Sequence, residues 1–232
     1  MSRHPAESRI WYVAYGSNLA LARFRCYLRG GRPAGGSRVY AGCRDPRDPA
    51  RTEGVEVAGA LVFAGTSRVW DGGMAFYDRT AHGVVACRGY LVTVEQFADV
   101  AAQELRRPPG GEFAHDLVGL LPDLESVVTT GRGLYETVVR LGDRDGVPMF
   151  TVTHHDVGSL PPAAPSAAYL RWISTGLREA HGYDAARTAR YLGVARGVRD
   201  AWTERDLAAI ADGDRSVRGP SVPGPSVLGW AP

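Results

Sequence analysis

The hydrophobic positions of this chain change period several times, and each change marks an element. The run 10–15 is continuously apolar, aromatic and partly β-branched, which predicts a buried strand. It breaks at Gly16-Ser17-Asn18, where glycine permits a tight turn. Asn18 is expected to N-cap a helix over Leu19-Ala20-Leu21-Ala22-Arg23-Phe24. Such a corner turns backbone N–H groups, at the positive end of a helix dipole, toward whatever lies above the strand, which suits a carboxylate or another small anion.

Residues 30–54 are rich in Gly, Pro, Arg and Asp and predict a long loop, since the strand-like run 55–63 follows at once. A further strand is expected over 84–92. Thr93 with Gln96 forms a capping-box pattern that opens a helix to about Arg107, stopped by Pro108-Pro109. Residues 110–133 read as a loop with one short helical piece, and 134–141 with 147–154 as a β-hairpin around the turn 142–146. Ser166, Asp184 and Thr203 are expected to cap helices reaching His181, Arg196 and Ala211. The chain therefore reads as one domain over 1–212, with helices at its C-terminal end. The segment 213–232 repeats Gly-Pro-Ser-Val and is expected to be a disordered tail. No internal repeat has a solenoid period.

The helix after Thr93 carries an anomaly. Phe97, Val100 and Ala101 share one stripe at i, i+3, i+4, and the next position on it, i+7, is Glu104. Gln96, Asp99 and Gln103 fall elsewhere. A core-facing carboxylate loses the solvation of water, and burial raises its pKa toward the range where it takes and returns a proton near neutrality. The plainer alternative is a last-turn glutamate reaching solvent past Arg107.

Composition narrows the classes. The chain has 232 residues, 44% of them hydrophobic, enough for a full core. Its net charge of +2, with both signs interspersed, gives nucleic-acid binding no electrostatic support. Cys26, Cys43 and Cys87 are odd in number and contain no CxxC pair, so neither a disulfide framework nor a zinc knuckle is expected. The first seven residues lack an apolar signal core, and no apolar run is long enough to span a bilayer, which predicts a soluble, cytoplasmic protein with no membrane partner.

The corner Tyr15-Gly16-Ser17-Asn18-Leu19 resembles the substrate-binding loop of the γ-glutamylcyclotransferase-like family. That family places a catalytic glutamate near the end of a short helix after a strand. Aligning that strand and helix without gaps on Tyr90-Leu91-Val92-Thr93 brings the catalytic glutamate to Glu104. Trp70-Asp71-Gly72-Gly73-Met74-Ala75 is similar to the glycine-containing segment before the family's catalytic strand, and Tyr135 matches a tyrosine pointing into the pocket. Pro165-Ser166 with Tyr169 and Gly176 resembles the start of its C-terminal helix, so the likeness extends from Trp11 to His181. Three positions depart from the pattern. Ala101 and Leu105 stand where the family has an acidic residue and a glycine, and Phe150 stands where members often have a second tyrosine, which implies a hydroxyl lost from the site.

The resemblance implies an α+β fold in which a mixed sheet curls into a small β-barrel with peripheral helices, extended by the C-terminal helices. It implies an enzyme that lets the substrate's α-amine attack its own γ-carbonyl, releasing 5-oxoproline and a free amine. Glu104 would be the acid/base, and Tyr15, Gly16, Ser17, Asn18, Leu19, Gly73 and Tyr135 would bind substrate. No cofactor or metal is then needed, and the partner is a small γ-glutamyl amide handled by a monomer or homodimer. The loop 30–54 hints at an unusual acceptor, and 110–133 is the candidate to close the pocket.

Other motifs point nowhere further. His154-His155 would lie on opposite faces of an extended strand, which disfavours one shared metal. Gly131-Arg132-Gly133 has Glu136 where a dinucleotide loop needs a third glycine, and Ser67 and Ser221 lack a GxSxG frame. Two alternatives remain open: an amide or ester hydrolase on the same fold, and a non-catalytic binding module.

Overall fold

A computed structural model describes residues 8–130 and 133–219, so the first seven residues, Gly131-Arg132 and most of the expected tail lie outside the described part. At its centre runs β1 (Arg9–Ala14), paired antiparallel with β5 (Val84–Thr93) and parallel with β8 (Val147–Thr153). A strand flanked on both edges and covered on both faces has no polar side, which is why its sequence reads as an unbroken apolar run. Alternation then divides its side chains. Ile10, Tyr12 and Ala14 enter one core, with Phe24 and Phe97, and Val13 joins another with Ile173 and Leu177.

The main sheet is completed by β2 (Arg51–Ala58), β6 (Val127–Thr129) and β7 (Thr137–Arg144), in the order β2-β5-β1-β8-β7-β6. The pair β3 (Ala60–Ser67) and β4 (Gly72–Asp78) forms a separate two-stranded ribbon. The expected strand 55–63 is thus two strands in different sheets, dividing at Gly59, and β4 was not anticipated. The α+β class with a mixed sheet is as expected, but among the described residues the curl stops short of a closed barrel. The ribbon meets β8 through side chains instead of a ladder: Thr153 Oγ1 accepts from the Tyr77 N–H (3.1 Å) and donates to the Tyr77 carbonyl (2.8 Å).

One core is covered by α1 (Leu21–Arg29), α2 (Val94–Glu104) and α3 (Glu112–Leu120); the other by α4 (Ala167–His181), α5 (Ala185–Gly193) and α6 (Glu204–Ala211). Thr93, Ser166, Asp184 and Thr203 cap their helices as expected, and Thr93–Gln96 closes the full capping box. The segment expected to be a loop with one short helical piece is more regular over its described residues, holding α3, a 3-10 turn over Leu121–Asp123 and β6.

Helix α2 ends three residues before the expected Arg107. Arg106 takes a left-handed conformation (φ 59°), the Arg107 N–H bonds the Ala102 carbonyl (2.8 Å) and the Arg106 N–H bonds that of Gln103 (3.1 Å). This is a Schellman closure with arginine where glycine is usual, and it makes Glu104 the last helical residue.

The polar side of α2 is buried as well, because the loop between α1 and β2 folds over it. Asp99 accepts from the Arg44 N–H (2.9 Å), the Arg44 guanidinium (3.1 Å) and the Gly110 N–H (2.7 Å). Gln96 donates to the carbonyls of Asp45 and Arg47, and Gln103 to that of Tyr27. Asp99→Ala is expected to destabilise the protein by about 2–4 kcal/mol, because buried donors lose their acceptor. Denaturant unfolding reads the loss, and faster proteolytic cleavage within residues 31–50 shows that the loop is what loosens.

Candidate active site

The strand-to-helix corner is built differently from expectation. A 3-10 turn, Ser17–Leu19, sits between β1 and α1, and α1 is capped by the Ala20 backbone with no side-chain bond. Asn18 is therefore inside the turn and free to act elsewhere. Gly16 has φ −104°, so glycine is needed there for space and not for an unusual backbone. A Cβ would fall 3.0 Å from the Tyr169 hydroxyl and 3.3 Å from the Ala75 side chain. The corner is held from below: the Tyr90 hydroxyl donates to the Asn18 carbonyl (2.7 Å), and Arg88 donates to the Leu19 carbonyl (3.1 Å).

Above this corner opens a cavity of about 520 Å³. Tyr15, Gly16, Ser17, Asn18, Glu104 and Tyr135, six of the eight residues expected at the site, line it together. Leu19 and Gly73 do not. Leu19 is fully buried against α4, where a Cβ on Gly176 would lie 2.2 Å from its own Cβ. Gly73 donates its N–H to the Ala164 carbonyl (2.7 Å), and a Cβ there would lie 2.0 Å from the Ala163 carbonyl, so its surroundings are filled by backbone. Phe150 is equally remote: it is buried beside Phe97, with ring centroids 6.0 Å apart, and its missing hydroxyl takes nothing from the cavity.

Glu104 is half-buried at the cavity wall. Asn18 Nδ2 donates to the Tyr12 hydroxyl (3.1 Å) and lies 3.5 Å from Glu104 Oε1. Burial pushes the Glu104 carboxyl above its ordinary value, a rise that the Tyr27 hydroxyl, the Arg23 and Arg38 guanidiniums and Asn18 only partly reverse. The carboxylate is thus a stronger base than a solvated one, within reach of a ligand on the corner.

One backbone donor at the corner is already committed: the Leu19 N–H bonds the Gly16 carbonyl (3.0 Å). The N–H groups of Gly16 and Asn18 have no backbone acceptor among the described residues. Burial raises the Tyr169 hydroxyl to about 12, so it stays protonated at neutral pH. The Tyr135 hydroxyl donates to the Ala75 carbonyl (2.8 Å) and its ring stacks on Phe76 at 5.0 Å, so it shapes the wall. Tyr135→Phe is accordingly expected to change kcat/KM by less than about 10-fold, as measured by steady-state kinetics.

The sequence reading missed Arg23, whose guanidinium lines the same cavity and is 2% exposed. The signal was present: Arg23 falls between Ala20 and Tyr27 on the apolar stripe of α1, as Glu104 does on that of α2. Tyr40 and Arg38 come from the loop before β2, and no local pattern announces them.

His154 and His155 also need correction. Strand β8 ends at Thr153, so the two rings are not on opposite faces of a strand; their centroids are 4.4 Å apart. With Glu136 they form the one group among the described residues whose potential metal-ligating atoms lie within 4.8 Å of one another. Glu136 Oε1 accepts from the His155 N–H (3.0 Å) and contacts its Nδ1 (2.9 Å). Burial alone would raise the Glu136 carboxyl, but the His155 contacts, together with its own backbone N–H and the Thr137 hydroxyl, hold it below its ordinary value.

No family model matches the chain. Histone deacetylase 5 from Arabidopsis thaliana is 31% identical over 189 residues, which are 75% of this chain. The chain spans only 29% of that protein's length. Among solved structures, a gamma-glutamyl cyclotransferase is similar over 75% of this chain and 81% of its own, at 16% identity and a TM-score of 0.43. The human protein loc79017 is similar over 75% of this chain and 82% of its own, at 16% identity and a TM-score of 0.41. YkqA from Bacillus subtilis is similar over 75% of this chain and 49% of its own, at 17% identity and a TM-score of 0.39. No helix of the described residues is long and apolar enough to cross a membrane.

Proposed function

We propose that this chain is a γ-glutamylcyclotransferase-like enzyme that cleaves a γ-glutamyl amide by attack of the substrate's own α-amine. The observation that carries this reading is that a base-shifted Glu104 and the backbone donors of Gly16 and Asn18 line one cavity, with Asn18 Nδ2 3.5 Å from Glu104 Oε1. The Tyr15-Gly16-Ser17-Asn18-Leu19 motif and the position of Glu104 at the end of its helix support the same family.

In this mechanism Glu104 takes a proton from the α-ammonium, freeing the amine to attack the γ-carbonyl carbon. The Gly16 and Asn18 N–H groups receive the oxyanion of the tetrahedral intermediate. Glu104 then returns its proton to the departing nitrogen as the C–N bond breaks. One C–N bond forms and another breaks; the attacking nitrogen sheds two protons in turn through Glu104, and the departing nitrogen takes both and leaves as an ammonium, so neither water nor a covalent enzyme intermediate is required. The chemistry needs one residue acting twice, which fits a site whose only lining carboxylate among the described residues is Glu104.

The test is an assay of purified protein against a panel of γ-glutamyl amides, with products identified by mass spectrometry. Accumulation of 5-oxoproline together with the free amine is the expected result. A protein that binds these compounds without turning them over would support a binding module instead.

A further inference from the structure

Arg23 is a buried cation that no carboxylate of the described residues pairs with directly. Its guanidinium sits among Tyr40, Tyr27 and Trp70, at 4.4, 4.7 and 5.6 Å from their ring centroids. One nitrogen donates to the Tyr40 hydroxyl (2.6 Å), while Nε and the other terminal nitrogen have no acceptor among the described residues. No carboxylate of the described residues lies within 4.0 Å of it. Aromatic faces attract the charge but accept no in-plane N–H bond, so two donors of a desolvated guanidinium are left unpaired. Such a group is destabilising unless something completes it.

We propose that Arg23 is the receptor for a carboxylate on the ligand of this cavity. A guanidinium offers a planar set of donors that matches a carboxylate, and the aromatic box excludes water that would weaken the pairing. One negative charge balances Arg23 while leaving Glu104, in the same cavity, to exchange its proton. The assignment also divides the labour at the corner: with the carboxylate on Arg23, the Gly16 and Asn18 donors remain for the oxyanion. That division, and the identity of the carboxylate as the α-carboxylate of a γ-glutamyl group, rest on the function proposed above. The anion subsite itself does not.

The experiment measures binding of 5-oxoproline and of its neutral amide by calorimetry to the wild-type chain, Arg23→Lys and Arg23→Met, with inorganic phosphate and other small monocarboxylates as further probes. Wild type is expected to prefer the acid over the amide by about 10–100-fold, the value of a charge-assisted contact. Arg23→Met should erase that preference, leave amide binding within about 3-fold, and raise KM for a substrate more than it lowers kcat. Equal affinity of wild type for acid and amide would overturn the proposal even if Arg23→Met fails to fold, and so would undiminished acid binding by a folded Arg23→Met or Arg23→Lys. Tighter binding of phosphate than of any carboxylate would overturn it too. If 5-oxoproline does not bind but another monocarboxylate does, in an Arg23-dependent way, the γ-glutamyl reading fails and the carboxylate subsite stands.

Discussion

Glu104→Gln is expected to lower turnover about 10²–10⁴-fold while raising thermal stability at neutral pH. Glutamine keeps the shape of the side chain and its contact with Asn18, but it can neither take the α-ammonium proton nor return it to the leaving nitrogen. The stability change follows from the same burial that makes the residue useful. In the folded protein the carboxyl lies above its ordinary value of 4.5. A group of this kind stabilises fully below its unfolded value and loses that contribution as pH rises through the folded one. The variant removes the group that is lost. Its melting temperature should therefore match that of wild type below about pH 4 and exceed it increasingly above. Paired kinetic and melting curves across pH check both halves. A variant that loses activity and stability together at neutral pH would mark Glu104 as a structural residue.

Gly176→Ala should be the most disruptive single methyl that can be added to α4. The new Cβ would lie 2.2 Å from the Leu19 Cβ, 2.4 Å from the Leu19 carbonyl carbon and 2.5 Å from the Ala20 nitrogen. Two of those atoms are backbone of the corner, itself pinned by Tyr90 and Arg88, so relief requires the whole helix to move. Overpacking of this severity costs about 3 kcal/mol, roughly 6–12 °C in melting temperature for a domain of this size. Activity should fall beyond the loss of folded protein, because a displaced α4 carries Tyr169 away from Gly16. Gly193→Ala is the control: its Cβ would meet nothing nearer than Leu207 Cδ1 at 3.7 Å, and helix propensity favours it. Calorimetric melting of the two variants side by side separates added bulk from lost glycine freedom.

The parts of this molecule that sequence reveals are those in which one element decides its own fate. The Thr93–Gln96 box, the caps of α4, α5 and α6 and the apolar run of β1 are local patterns, and they stand where periodicity puts them. Glu104 is legible because a carboxylate on an apolar stripe breaks a rule that spans only eight residues. Arg23 breaks the same rule on α1 and was as readable. What local pattern does not carry is assembly. Asn18 looked like a cap because a 3-10 turn is too short to show a period. The burial of Gln96, Asp99 and Gln103, which fall off the apolar stripe of α2, has no local signal because the loop covering them lies some 50–60 residues away in the chain, and Tyr40 and Arg38 reach the cavity along it. His154 and His155 fall just past the end of β8, which stops at Thr153.

A cyclotransferase requires that the γ-carbonyl be attacked by the substrate's own amine and not by water. Turnover of a γ-glutamyl amide in ¹⁸O-labelled water, with the products weighed by mass spectrometry, tests it directly. Cyclisation predicts 5-oxoproline with no ¹⁸O, formed in equal amount to the released amine. Free glutamate carrying one ¹⁸O in its side-chain carboxylate would contradict it and make this cavity the site of a hydrolase.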